Sequence, residues 1–433
     1  MLLQILSIAS LNAGNPQAQG ENGPRGPTIS MTKASSTQPG FLPEGAIDGN
    51  RYVTAADQAW AGKAQESLWT WEVRFAQKTS VGSILQIVGD QPQVLRNAPA
   101  SYVWQTTSNG IDWSDLEETA ITQERRMYRI HRLKACRETL GLRIRITGAQ
   151  GSFPVIREVQ WFADPRETIL FEPWSVIVTT TGDAKIPGEG MQFLPLARTC
   201  PGFEKYQAQN IWLGDFHEEF LRAEPRPLCA FLSGNFIDWC QQDRKHWAGA
   251  AEVLENGNLP IWASCGGAQG LAILAEHGVT TSWDCPHCRD PKNPKTPIYG
   301  HIGHTSAKPC GDYSGCRFEK GPFNILQTAL DPAFTGLPRE FRAMESHCGQ
   351  IEWAPKGWTL LATAGQGTLT KVQCLRRNDR PIYAAQFHIE MAGTPATSRK
   401  IMANFLQVAA TWGGFNPQAR TLTPPESLSA SQP

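Results

Sequence analysis

Pro260-Ile261-Trp262-Ala263-Ser264-Cys265-Gly266-Gly267-Ala268-Gln269-Gly270 is the stretch on which the reading of this chain turns. A short apolar run leads into a cysteine, small residues stand on either side at Ala263 and Gly267, and a helical pattern follows. This is the order of a nucleophile elbow, in which a strained strand-to-helix turn leaves room only for small flanks. The turn places Cys265 at a helix N-terminus, where the helix dipole favours a thiolate. Its sulfur is expected at the carboxyl end of a sheet, where open α/β domains bind ligands.

A cysteine nucleophile needs a base, and the base needs a group to orient it. Downstream, Ile382-Tyr383-Ala384-Ala385-Gln386-Phe387-His388-Ile389-Glu390 reads as a buried strand ending in His388 and Glu390, two residues apart and so on one side. His388 is the expected base and Glu390 the group that orients its imidazole. Around these motifs, Trp174–Val178, Ile211–Leu213 and Leu228–Leu232 read as buried parallel strands. Ala250–Leu254 and Gly270–His277 are the best helical stretches between them, so the alternation predicts a doubly wound α/β domain.

This part of the chain resembles a class I glutamine amidotransferase domain of flavodoxin-like topology. The family carries G-x-C-x-G-x-Q at its elbow and Q-F-H-P-E at its histidine strand; here they read Ala263-Ser264-Cys265-Gly266-Gly267-Ala268-Gln269 and Gln386-Phe387-His388-Ile389-Glu390. The resemblance implies Cys265 as nucleophile, His388 as base and then acid, Glu390 as orienter, and Gln269 as a holder of the substrate's glutamyl group. The family loop S-G-G-P corresponds to Ser233-Gly234-Asn235-Phe236, so Gly234, Asn235 and Gly266 are the expected oxyanion donors, with Asn235 tolerating a left-handed backbone. Ser346-His347 and Pro355-Lys356-Gly357-Trp358 also resemble a family segment near the substrate, which makes His347 a candidate substrate contact. Ala263 replaces glycine, Ala268 an aromatic or histidine, and Ile389 proline; these swaps open the question of whether free glutamine is the substrate.

Between the elbow helix and Phe318 lies a polar insert, 281–318, with Cys285-Pro286-His287-Cys288, then Cys310 and Cys316. Its spacing leaves three readings open: a tetrahedral Zn²⁺ site, two disulfides, or unconnected thiols. The insert is expected beside the Cys265 pocket.

Upstream the pattern differs. Leu68–Phe75, Ser101–Thr106 and Leu142–Ile146 alternate with period two and are rich in aromatic and branched residues, which predicts half-buried strands in an all-β sandwich. Gly45-Ala46-Ile47-Asp48-Gly49-Asn50, Ala98-Pro99-Ala100-Ser101-Tyr102-Val103-Trp104, Ser108–Trp113 and Ile156–Trp161 follow in the order of a discoidin (coagulation factor 5/8 type C) domain, which this region resembles: a galactose-binding-like jelly-roll sandwich close to many carbohydrate-binding modules. The resemblance implies a glycan or cell-surface ligand at loops of one end. Asp48 and Glu158 resemble positions that support a structural Ca²⁺; the plainer alternative is a turn at Asp48-Gly49-Asn50 and a surface strand residue at Glu158. Exposed tryptophans can stack on sugars, whereas tryptophans in strands belong to the core.

The expected organisation is a flexible lead over 1–27, the sandwich over 28–163, the α/β domain over 172–414 and a disordered tail over 415–433. The first eleven residues resemble the apolar core of a secretion signal without its positive n-region or a clean cleavage site. A frayed apolar start or a mis-called initiation codon reads as well, so the compartment stays open, with a secreted or periplasmic setting slightly favoured over a cytoplasmic one. Composition narrows the function classes. Lys plus Arg and Asp plus Glu are both 40 and no basic stripe occurs, which argues against a nucleic-acid partner. Hydrophobic residues are 41% and charged residues 18%, too apolar for a mostly disordered chain. No run of about eighteen apolar residues spans a membrane. The sequence thus predicts a cysteine-dependent amidohydrolase acting on a small glutamine-like or γ-glutamyl amide without a catalytic cofactor. Its rivals are an ammonia-supplying glutaminase subunit for a separate synthetase and a non-catalytic carbohydrate-binding protein. Oligomeric state is left open.

Overall fold

The computed structural model describes residues 28–52, 58–181, 190, 192–279, 298–303, 313–391, 396–416 and 421–422. The N-terminal half is built from β1 (Ile29–Ala34), β2 (Trp60–Ala61), β3 (Trp69–Val88), β4 (Gln93–Val94), β5 (Ala98–Thr107), β6 (Ser114–Asp115), β7 (Tyr128–Gln150) and β8 (Val155–Phe162). Two strands carry the architecture. The first part of β3, Trp69–Arg74, pairs with Gly141–Ile146 of β7, and its second part, Ser83–Ile87, pairs with Tyr128–Arg132. The register shifts between these parts, so each strand bends and contributes to both layers. The expected short strands are therefore segments of longer, bent ones. Alternation turns Trp69, Trp71, Val73 and Phe75 inward, where they meet Trp60, Trp104, Ile144 and Ile156 in one core. Trp71 meets Trp104 edge-on at 6.4 Å, a favoured aromatic geometry. The sandwich tryptophans Trp60, Trp69, Trp71 and Trp104 are core residues.

The second sheet comprises β9 (Trp174–Thr179), β10 (Gln207–Trp212), β11 (Cys229–Leu232), β12 (Ile261–Ser264), β14 (Glu319–Gln327), β15 (Glu340–His347), β17 (Trp358–Ala364), β18 (Cys374–Arg377) and β19 (Ile382–Ala385); β13 (Tyr299–His301) and β16 (Gly349–Ile351) pair separately. β10, β9, β11, β12 and β19 are parallel and lie side by side in that order. Counted along the chain this is the 2-1-3-4-5 order of flavodoxin-like sheets, whose ligands bind beyond the carboxyl ends of the strands. β18, β17, β14 and β15 extend the sheet with antiparallel pairings. α1 (Phe193–Arg198), α2 (Glu218–Arg222), α3 (Ala248–Asn256), α4 (Gly266–His277) and α5 (Ala396–Trp412) complete the domain. No described helix is long and apolar enough to cross a membrane.

The two halves share structure rather than a tether. β4 adds to the free edge of β10 in parallel, at Gln93–Gln209 and Val94–Asn210. Gln209 Oε1 accepts Met127 N–H at 2.8 Å and its Nε2 donates to Arg125 O at 2.7 Å, so one buried side chain satisfies two backbone groups across the boundary. Leu85, Ile87, Met127 and Tyr128 belong to the same core as Trp174, Val176 and Ile211.

The expected disordered tail is in part ordered, since Phe415–Asn416 pairs antiparallel with Thr421–Leu422. The Pro- and Ser-rich composition beyond these residues hid so short a ladder. The lead segment over 1–27 lies outside the described residues.

Candidate functional site

Cys265 sits between β12 and α4 at φ 47°, ψ −113°, the strained conformation an elbow requires. Its N–H donates to Ala385 O at 2.8 Å and its carbonyl accepts Gln269 N–H at 3.0 Å, which fixes the turn from the strand side and the helix side. The small flanks follow from packing. A Cβ on Gly267 would stand 2.7 Å from Ser233 O, and one on Gly266 would stand 2.3 Å from Asn235 N. The elbow and the Ser233–Asn235 loop thus touch backbone to backbone, and Gly267 N–H donates to Ser233 O at 2.9 Å.

His388 and Glu390 lie just beyond β19 rather than on it; His388 N–H donates to Met344 O of β15 at 2.8 Å. His388 Nδ1 is 2.7 Å from Glu390 Oε1, and Glu390 Oε2 accepts the Ser264 hydroxyl at 3.1 Å. Burial alone would lower the His388 pKa, but the Glu390 carboxylate and the Cys265 sulfur outweigh it and hold the imidazole well above its ordinary value. The imidazole Cε1 is 3.4 Å from the position a Gly234 Cβ would take, and Cys265 Cβ is 3.9 Å from it. Cysteine, histidine, carboxylate and the glycine loop therefore converge. Such a site can deprotonate a thiol, hold an imidazolium and accept an oxyanion.

Three of the expected residues make contacts that the sequence did not announce. Asn235 does not need the left-handed tolerance argued for it, because its φ is not positive. Gln269 Nε2 donates to Gly349 O at 3.1 Å and to Gln386 Oε1 at 3.2 Å, so its amide nitrogen ties α4 to β16 and the histidine segment. His347 has both ring nitrogens engaged: Nδ1 lies 2.8 Å from Gly349 O, and Nε2 lies 2.9 Å from Glu345 and 3.4 Å from Glu319. Burial pulls the His347 pKa down, but the two carboxylates overcome it and push it up to about 10. A carbonyl at Nδ1 calls for an N–H there, and the carboxylates beside Nε2 favour the charged ring.

Ser264, Glu319 and Glu345 were missed by the sequence reading. Glu345 was open to detection, since it stands two residues before His347 on a strand and so shares its face. Glu319 comes from a different strand and carried no local signal.

Of the insert cysteines, Cys285, Cys288 and Cys310 lie outside the described residues; Cys316 is half-buried close to Cys348. Among the described residues no group of three or more His, Cys, Asp or Glu is placed to hold a metal. In the sandwich, Glu158 is buried; Oε2 accepts Gly49 N–H at 3.2 Å and Oε1 accepts the Gln160 amide at 2.7 Å. Burial, with the nearby Asp48 carboxylate adding to it, pushes Glu158 up to about 8. Two facing carboxylates match the hard-oxygen donors of Ca²⁺ in kind and supply part of the six to eight oxygens it takes. A cavity of about 640 Å³ lies between the two halves near Ile130, Trp174, Leu228 and Leu259, at the amino ends of the strands and away from Cys265.

The flavodoxin-order sheet and a cysteine elbow facing a histidine–carboxylate pair define an α/β domain with a thiol, an imidazole and a carboxylate gathered beyond the carboxyl ends of its strands. Residues 232–408 match the family model "Glutamine amidotransferase class-I", and this part of the chain is a class I glutamine amidotransferase domain. A curated relative, a glutamine-hydrolyzing GMP synthase subunit of Methanocaldococcus jannaschii, is 32% identical over 121 residues, 27% of this chain and 62% of that protein. The matches to the first curated relatives span 16% to 62% of their lengths. Among solved structures, a protein from Thermoplasma acidophilum described as a candidate GMP synthase subunit is similar with a TM-score of 0.40 and 19% identity, covering 56% of this chain and 96% of that one. For the sandwich, chitosan-binding module 1 from a chitosanase/glucanase of Paenibacillus sp. IK-5 is similar with a TM-score of 0.26 and 17% identity, covering 30% and 93%.

Proposed function

We propose that the C-terminal domain hydrolyses the side-chain amide of glutamine or a related γ-glutamyl amide, with Cys265, His388 and Glu390 as its catalytic residues. The observation that carries this reading is the strained Cys265 at the head of α4, facing a histidine whose other nitrogen is held 2.7 Å from Glu390. Because Nδ1 is committed to Glu390, Nε2 is the nitrogen left to take the thiol proton.

Cys265 Sγ bonds to the amide carbon while its proton passes to His388. The oxyanion so formed accepts N–H groups of Gly266 and the Gly234–Asn235 loop. Collapse breaks the C–N bond, His388 returns its proton to the leaving nitrogen, and ammonia departs from a thioester. Water, losing a proton to His388, attacks the thioester; the C–S bond breaks, the thiol is restored and a carboxylic acid is released. The sum is amide plus water to acid plus ammonia.

The sandwich, joined through Gln209 and β4, orients this domain toward a glycan or another surface ligand. Asp48 and Glu158 are the residues that would hold a Ca²⁺ there, neutralising their mutual repulsion and stiffening the Asp48–Tyr52 loop. A second reading, ammonia delivery to a separate synthetase, is favoured by the relatives named as parts of GMP synthase. Ammonia release from L-glutamine and a γ-glutamyl amide series, by wild type and Cys265→Ala, tests the main reading. Cys265-dependent release is expected; release surviving Cys265→Ala overturns it. Glutamine turnover that rises steeply only with an ATP-consuming partner would favour the second reading. A glycan array with and without Ca²⁺ tests the sandwich, and binding to no glycan or surface preparation contradicts its assigned role.

A further inference from the structure

The oxyanion loop holds an asparagine where the family pattern has glycine, and its side chain is fully committed. Asn235 Oδ1 accepts Ile237 N–H at 3.0 Å and Gln242 Nε2–H at 2.7 Å, while Asn235 Nδ2 donates to Ile237 O at 2.7 Å. Gln242 Oε1 in turn accepts Trp247 Nε1–H at 2.7 Å. Trp247 is wholly buried, with its ring in the space that Gly270 leaves open; a Cβ there would stand 2.2 Å from it.

The direction of this chain is set by chemistry. An indole nitrogen only donates, so Gln242 must turn its oxygen to Trp247 and its NH₂ to Asn235. Asn235 must then present its oxygen to Gln242 and to Ile237 N–H. The path starts on α4, which begins next to Cys265, and ends on the loop pressed against Gly266. It closes into a ring, because Gly267 N–H also holds Ser233 O at 2.9 Å. Thr180 Oγ1 secures the other side of the loop by donating to Gly234 O at 2.5 Å.

We infer that Gln242 is a positioning residue for the oxyanion hole, acting through Asn235 and anchored on α4 by Trp247. In the family pattern a second glycine shapes this loop; here a side-chain hydrogen-bond relay does. Gln242 touches no reacting atom. Its loss removes the Gln242 hydrogen bond from Asn235 Oδ1, leaving the carboxamide held by Ile237 alone, and leaves the buried Trp247 N–H without its partner on Gln242, so the loop N–H groups drift from the oxyanion position. This inference rests on the hydrolase reading proposed above.

The test uses Gln242→Leu, Asn235→Gly and the double variant in the full chain, with three readouts. Amide hydrolysis requires the oxyanion hole. Alkylation of Cys265 by iodoacetamide forms an S–C bond and expels iodide without an oxyanion. Hydrogen exchange of peptides over Ser233–Ile237 reports the loop independently of activity. Gln242→Leu is expected to lower kcat about 10- to 100-fold at nearly unchanged KM, less than the roughly 10²–10³ for losing an oxyanion donor outright, while alkylation stays within about twofold. The Ser233–Ile237 peptides should exchange faster. In the Asn235→Gly background, where no carboxamide needs orienting, Gln242→Leu should cost less than about threefold further. Equal losses in alkylation and turnover, equal costs in both backgrounds, or unchanged loop exchange would each overturn the inference. Faster loop exchange in a protein whose wild type hydrolyses no amide would keep the relay and remove the hydrolase reading instead.

Discussion

His131 in the sandwich and His388 in the α/β domain are both buried, yet their surroundings drive them in opposite directions. His131 lies beside Tyr102, 3.2 Å from its hydroxyl, and burial together with the Arg129 cation pushes its pKa down to about 3. His388 is equally secluded, but Glu390 and Cys265 hold it above its ordinary value. Burial disfavours charge in both places, and a carboxylate partner decides which histidine can carry a proton. The first histidine sits against an aromatic hydroxyl; the second sits between a carboxylate and a thiol. A similar contrast runs through the two halves: aromatic pairs fill the sandwich, while charged and polar side chains line the space around the elbow.

The largest expected effect is at the partner that makes the difference. Glu390→Gln keeps the shape and removes the charge, so amide hydrolysis should fall by about 10⁴, as when a triad carboxylate is neutralised elsewhere. The pH profile of turnover checks this, and an unchanged rate would place His388 with His131 as a packing residue. Next in size is the seam between the halves. Tyr128 meets Trp174 at 5.0 Å and Phe171 at 5.2 Å. Tyr128→Ala should cost about 3–5 kcal/mol, by analogy with large aromatic truncations, with one cooperative unfolding transition in calorimetry. Two separated transitions in the wild type would show the halves to be independent.

His131 itself gives a smaller, pH-dependent effect. Its folded pKa of about 3 lies below the ordinary unfolded value near 6.5, so its contribution is complete above that value and is lost as pH falls toward 3. Denaturation midpoints taken from pH 7 to pH 4 should fall more steeply for wild type than for His131→Gln. Identical slopes would mean that His131 takes up a proton without resistance. The smallest effect belongs to the exposed pair Arg166–Asp164, 3.4 Å apart with 89% of the arginine side chain accessible. Arg166→Ala should leave the denaturation midpoint unchanged in the same assay.

How much of this could be read from the chain follows the range of the forces. The elbow was legible because its constraint is local: a strained cysteine needs small neighbours within two residues, and Ala263 and Gly267 supply them. The alternation of Trp69, Trp71 and Val73 exposed the sandwich in the same way. The bends that make β3 and β7 serve both layers were hidden, because each depends on a partner strand far along the chain. So was the attachment of β4 to β10, since Gln93 and Val94 are too short a strand to announce themselves. His347 was singled out by its resemblance, but its ion-pair partner Glu319, from β14, carried no local signal. The Asn235 relay escaped notice for a similar reason: Gln242 and Trp247 lie in the irregular segment that leads into α3, whose pattern says nothing until it is folded back onto α4.

Catalysis of the proposed kind requires Cys265 to be an activated nucleophile in a glutamyl-shaped pocket. Intact-mass analysis after exposure to a glutamine-like chloroketone, on wild type and Cys265→Ala, measures this directly. A single adduct on wild type, none on Cys265→Ala, and protection by glutamine are the expected result. A folded wild type that stays unmodified, or an adduct that persists in Cys265→Ala, would contradict it.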